Sequence, residues 1–118
     1  MNDSILGTTK KLLGMDPSYT PFDTDVIVAI NSAMLSLKQL GVGPEEGYVV
    51  TDASDTWSDF MGDDPALASV KMYVYLKVRL TFDTPSSSAA TEIYKEQIKE
   101  IEWRLTLETE KEGGDESG

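Results

Sequence analysis

The segment from Leu67 to Phe82 sets the terms for any fold this chain adopts. Leu67, Val70, Met72, Tyr73, Val74, Tyr75, Leu76, Val78, Leu80 and Phe82 crowd into it, leaving Ser69, Lys71, Lys77, Arg79 and Thr81 as polar positions. Apolar residues at that density cover every side of a helix, so the helix belongs at the centre of a structure or wrapped by neighbours. Asp64-Pro65 opens it as an N-cap followed by proline at the first helical position. The chain has 118 residues, the length of one domain. In so small a domain a helix this apolar predicts contacts between copies as well as within one.

The punctuation around this segment predicts a small all-α bundle of about four helices, over about 4–13, 24–40, 65–82 and 85–108. Asp3 or Ser4 caps the first, which bears Ile5, Leu6, Leu12 and Leu13 and reads as an arm or lid. Asp23 is placed to cap the second, with Phe22 stapled to Ile27, and Val26, Ile30, Ala33, Leu37 and Leu40 recur at helical steps. Gly41-Val42-Gly43-Pro44 ends it: Gly41 takes the left-handed position, Val42 folds back, and Pro44 prevents continuation. The last and longest helix opens at Thr84-Pro85 and stacks Tyr94, Ile98, Ile101 and Leu105 on one face. Trp103 and Leu107 lie on the opposite face, which the bundle does not need.

Acidity is concentrated outside the periodic segments. The net charge is −11; residues 45–64 carry seven acids and no base, and 108–118 carry five acids against one base, while the remainder is nearly neutral. Such a surface repels a polyphosphate backbone, which disfavours groove binding of nucleic acid. Segment 45–64 reads as an irregular acidic loop with a possible short strand at 48–51, and 108–118 as a flexible acidic tail after a helical domain of residues 1–107. Within the loop, Trp57 and Phe60 read either as a plug over the core or as a partner-facing patch.

The chain contains neither Cys nor His, which removes disulfides, thiolate and imidazole metal sites, and nucleophiles that depend on imidazole. Asp55, Asp59 and Asp63 come nearest to a divalent-cation site, but their spacing aligns them only on a continuous helix, which Gly62 interrupts. No catalytic residue, metal site or cofactor is expected, and the chain is read as no enzyme. With no apolar run of membrane-spanning length and no charged start followed by an apolar stretch, it is expected to be soluble and made inside the cell.

The strings FDTDVIVAINSAMLSLKQLGVGP at Phe22 to Pro44, MYVYLKVRLTFDTP at Met72 to Pro85 and IEWRL at Ile101 to Leu105 resemble the small head-tail connector, or adaptor, proteins of tailed bacteriophages. The likeness covers roughly residues 3 to 107. It implies a ring of about twelve copies beneath the portal, which continues the DNA channel and offers the tail its attachment site. Implied partners are the portal protein, further copies of the chain and the next neck or tail-completion protein. DNA passes through without sequence-specific binding, no membrane is involved, and the location is the virion neck after synthesis in the host cytoplasm.

On that reading Trp103, Leu107, Glu108 and Glu110 are expected to meet the portal. Tyr48, Trp57, Phe60, Lys71, Lys77 and Arg79 are expected between subunits. An alternative from another class is an acidic inhibitor that mimics nucleic acid, whose signature is acids ordered on a rigid surface.

Overall fold

The computed structural model describes residues 4–16, 18–62, 64–82 and 87–117; the side chains of 82 and 108–117 lie outside the described set. Five helices follow one another: α1 (Ile5–Leu12), α2 (Asp23–Gln39), α3 (Trp57–Met61), α4 (Leu67–Phe82) and α5 (Ser88–Ser117). The all-α bundle stands. α5 runs helically past 108, where the sequence reading ended it, and the expected opening at Thr84-Pro85 lies outside the described residues.

α4 is central, as its composition demands. Val70, Tyr73, Val74 and Val78 are fully buried, with α2, α5 and α1 packed around them. The apolar surface of α4 is thus largely covered inside one chain, while Met72 stays exposed. A polar junction joins α4 to α5. The Tyr73 hydroxyl of α4 donates to Glu102 Oε2 of α5 at 2.7 Å. Burial first, and the Glu102 carboxylate second, push the Tyr73 hydroxyl above its ordinary pKa, so it stays a neutral donor.

Local signals close the helices. Ser4 caps α1 by accepting from the Gly7 N–H at 3.0 Å, and Thr56 caps α3 by accepting from the Asp59 N–H. At the end of α2, Gly41 has φ of 85°. The N–H of Val42 donates to Leu37 O and that of Gly41 to Lys38 O, the paired closure that a left-handed residue permits. Val42 folds back into the core, as the sequence indicated.

Two expectations at α1 and α2 are corrected together. Asp23 does not cap α2; Phe22 holds that position and makes no side-chain cap bond. The Asp23 carboxylate instead accepts from Lys10 Nζ at 2.7 Å, and Lys10 also donates to Tyr19 O. Lys10 is only 1% exposed. A buried ammonium needs a charged partner, so the ion pair outcompetes the cap. It fastens α1 to α2, and Ile5 N donates to Asp55 O at 3.0 Å, so α1 is a stitched part of the bundle and no free arm.

The possible strand at 48–51 is not formed. Among the described residues the one β-type pairing is an isolated bridge between Ser4 and Thr56. Segment 48–51 is extended, and a side chain stands in for the missing strand partner. Asn31 of α2 accepts from the Val50 N–H at 2.7 Å and donates to Val50 O at 3.0 Å, a two-bond mimic of a sheet pair. Val50 is buried, so both groups need those partners.

Replacing Asn31 by Ala leaves a buried donor and acceptor unpaired. Asn31→Ala is expected to lower stability by about 2–3 kcal/mol in urea titration. Hydrogen-exchange protection of the Val50 amide should fall further than that of amides within α2.

Candidate functional site

Three surfaces were singled out by the sequence: the acidic segment 45–64, the bases of α4, and the outer face of α5. The acidic segment is ordered from within by one of its own carboxylates. Asp55 accepts from the Thr51 N–H at 2.7 Å, the Thr51 hydroxyl at 3.1 Å, the Asp52 N–H at 3.2 Å and the Tyr48 hydroxyl at 2.9 Å. The Thr51 N–H foremost, and then the remaining donors, hold its carboxyl below the ordinary aspartate value despite partial burial. Burial first and Asp55 second push the Tyr48 hydroxyl up to about 12.

Asp55 is therefore occupied as a loop organiser. Glu45, Glu46, Asp52, Asp59 and Asp64 stay exposed around it, and the ion pairs Lys10–Asp23, Lys95–Glu92 and Arg104–Glu100 lie elsewhere. Asp63 lies outside the described residues. No group of three or more carboxylates able to hold a metal ion occurs among the described residues. What results is a surface of one sign on an organised loop, suited to repelling phosphate rather than gripping a cation.

Trp57 and Phe60 go to the core, the plug of the two readings that the sequence left open. Trp57 is 0% exposed; Phe60 is buried, edge-on to Tyr48 with ring centroids 5.5 Å apart. Gly43, at φ of 86°, makes room for the Phe60 ring: a Cβ at this position would lie 2.5 Å from Phe60 Cε1. Tyr48 itself is half-buried and held by Asp55.

The α4 bases are laid over aromatic rings of the same chain. Lys71 Nζ stands 5.9 Å from the Trp57 ring centroid and Lys77 Nζ 5.8 Å from that of Tyr73. Arg79 lies 5.4 Å from the Tyr94 ring and donates to the Tyr75 hydroxyl. Each guanidinium or ammonium is drawn to a ring face; Lys71 thereby ties α4 to α3 and Arg79 ties it to α5, while the Lys77 contact stays within α4.

The outer face of α5 remains open. Trp103 is 63% exposed and Leu107 44%; Glu108 and Glu110 belong to the same helix, but their side chains lie outside the described residues. Leu107 also borders a cleft of about 610 Å³ between the end of α2, α3, the start of α4 and α5, where Val42, Phe60, Met61 and Ala66 present apolar surface beside Arg104. Ile93, also exposed, joins Trp103 on the outer face of α5, and Val28 and Leu35 are exposed on α2. The sequence reading passed over these three. For Ile93 the signal was the step of 93, 96, 100, 103 and 107, a helix-packing seam separate from the inner stripe.

No helix among the described residues is long and apolar enough to cross a membrane. A family model described as phage connector protein matches residues 5–112, which takes in all five helices up to the last part of α5. Neither the curated proteins nor the solved structures yield a match.

Asp55→Asn is expected to cost about 1 kcal/mol at neutral pH, modest because the carboxylate is partly exposed. The folded pKa of Asp55 lies below 3.8. Its contribution is complete above the unfolded value and is lost as pH falls through the folded one. The difference in urea midpoint between wild type and Asp55→Asn should accordingly be full at about pH 5 and shrink as pH falls below the unfolded value and through the folded one.

Proposed function

The chain belongs to the phage connector protein family, and from that premise we propose that it is a structural head-tail connector of the phage neck. It assembles as a ring of about twelve copies beneath the portal, extends the DNA channel and presents the attachment site for the next neck or tail-completion protein. Catalysis and cofactors have no part in this reading. The observation that carries it is the family match across 5–112; the chemistry of the surfaces agrees with it.

The acidic loop 45–64 gives DNA no phosphate-binding groups, so a channel wall bearing Glu45, Glu46, Asp52 and Asp59 lets the duplex slide past without adhesion. The distal part of α5 reaches the portal, with Leu107 and the neighbouring cleft as the seat and the acidic stretch from Glu108 as a further contact. A second reading, the nucleic-acid mimic, draws on a different observation: Asp55 and Asn31 give the acidic segment the order that such a mimic requires.

The deciding experiment is mass photometry of the purified protein, alone and mixed with its cognate portal. A multimer bound to portal is expected. A monomer that ignores the portal would overturn the connector reading and favour the mimic, for which tight binding to a nuclease is the positive sign. Leu107→Glu should weaken portal capture on the order of tenfold, the effect of losing a buried apolar anchor. Its circular dichroism should match wild type, because Leu107 is already 44% exposed in the free chain and outside the buried core.

A further inference from the structure

Two outer helix faces carry apolar residues that the chain's own fold does not bury. On α2, Val28 (65% exposed) and Leu35 (57%) are seven residues apart. With Thr24, Ser32 and Gln39 they step by four, four, three and four, and fall within roughly 80° of the helix circumference. No residue of this seam is charged; Asp25 and Lys38 stand at its margins. On α5, Ile93 (56% exposed), Glu96, Glu100 and Trp103 step by three, four and three. Alternating steps of three and four are those of a seam that receives another helix. α2 and α5 each pack on α4 rather than chiefly on one another, so the two seams belong to different sides of the chain.

Charge selects what covers them. An α5 seam packed antiparallel on its own copy, with Ile93 opposite Leu107, sets Glu100 against Glu100, an arrangement that like charges oppose. The α2 seam has no such conflict. It offers hydroxyl and amide donors at Ser32 and Gln39 and the exposed Lys38 ammonium at its edge, the complement of Glu96 and of Glu100, which already holds Arg104 at 2.6 Å.

We propose that the α2 seam of one copy receives the α5 seam of the next, with Val28 and Leu35 packed against Ile93 and Trp103. Ser32, Gln39 and Lys38 lie opposite Glu96 and Glu100. The contact joins two different faces, so it repeats from copy to copy and closes a ring when the rotation allows. This inference rests on the connector reading above and names the surface by which copies meet; Leu107 and the cleft remain with the portal.

The absence of cysteine from the chain makes the test direct. Leu35→Cys and Trp103→Cys are prepared as separate single variants and as the double variant, then oxidised on the portal beside wild type assembled there. The double variant is expected to give a ladder of multimers. An equal mixture of the two single variants should stop at dimers whose mapped disulfide joins positions 35 and 103. Disulfides joining 35 to 35 or 103 to 103 in preference would overturn the proposal by showing a two-fold contact. Failure to cross-link while wild type still assembles would overturn it too, leaving the connector reading intact. If wild type neither assembles nor binds the portal, both fall.

A second measurement covers the case in which cysteine perturbs the seam. Val28→Glu and Trp103→Glu replace exposed residues, so their helicity should match wild type. Each should lose higher multimers in mass photometry, whereas an equal mixture of the two should recover dimers, since each variant retains one intact face. Multimers of wild-type size from either variant alone would exclude these faces.

Discussion

The burial of α4 is the constraint on which the other elements depend. A helix apolar on nearly every side requires neighbours around most of its circumference, and a chain of 118 residues can supply them only by committing its other long helices. α2 and α5 accordingly turn their inner stripes onto α4, and α1 fills part of the remaining arc. The cost of that arrangement is that the flanking helices face solvent with whatever their outer positions carry. Here those positions include Val28, Leu35, Ile93 and Trp103. Apolar surface that the composition seemed to concentrate in α4 therefore emerges one layer further out.

Two polar side chains give the acidic loop its shape without a hydrophobic core of its own. Asn31 reaches out of α2 to satisfy both backbone groups of Val50, and Asp55 gathers donors from Tyr48, Thr51 and Asp52. The Phe60 ring, seated where Gly43 leaves room, anchors the loop from the other side. So acidic a segment can thus be ordered while Glu45, Glu46, Asp52, Asp59 and Asp64 stay in water, where their mutual repulsion is screened.

Features written in short sequence neighbourhoods were legible before the structure. Gly41-Val42-Gly43-Pro44 specified how α2 ends, Ser4 capped α1 as one of two candidates, and the density of apolar residues placed α4 at the centre. Features that depend on a distant partner were not. Lys10 reads as a surface lysine until Tyr19 O and Asp23 are seen to enclose it, and Asp23 reads as a cap until Lys10 takes its carboxylate. Val49 and Val50 suggested a strand because nothing local announces that an asparagine nineteen residues earlier will replace the partner. At the outer surface, Trp103 stood out by size and angle, whereas Val28 and Leu35 passed as ordinary members of an amphipathic helix. Exposure, rather than residue type, distinguishes them.

The length of α5 has a mechanical consequence. Its thirty residues extend about 45 Å at the rise of an α-helix, close to the 49 Å of the longest dimension of the whole molecule. A helix of that span, clamped to α4 near Tyr94 and again at Glu102, behaves as a lever with two fixed points. A tilt imposed at its far end cannot be absorbed locally by a loop. It is handed to the body of the chain as a rigid rotation, so a load applied at one end of the molecule is felt at the other without any element unfolding.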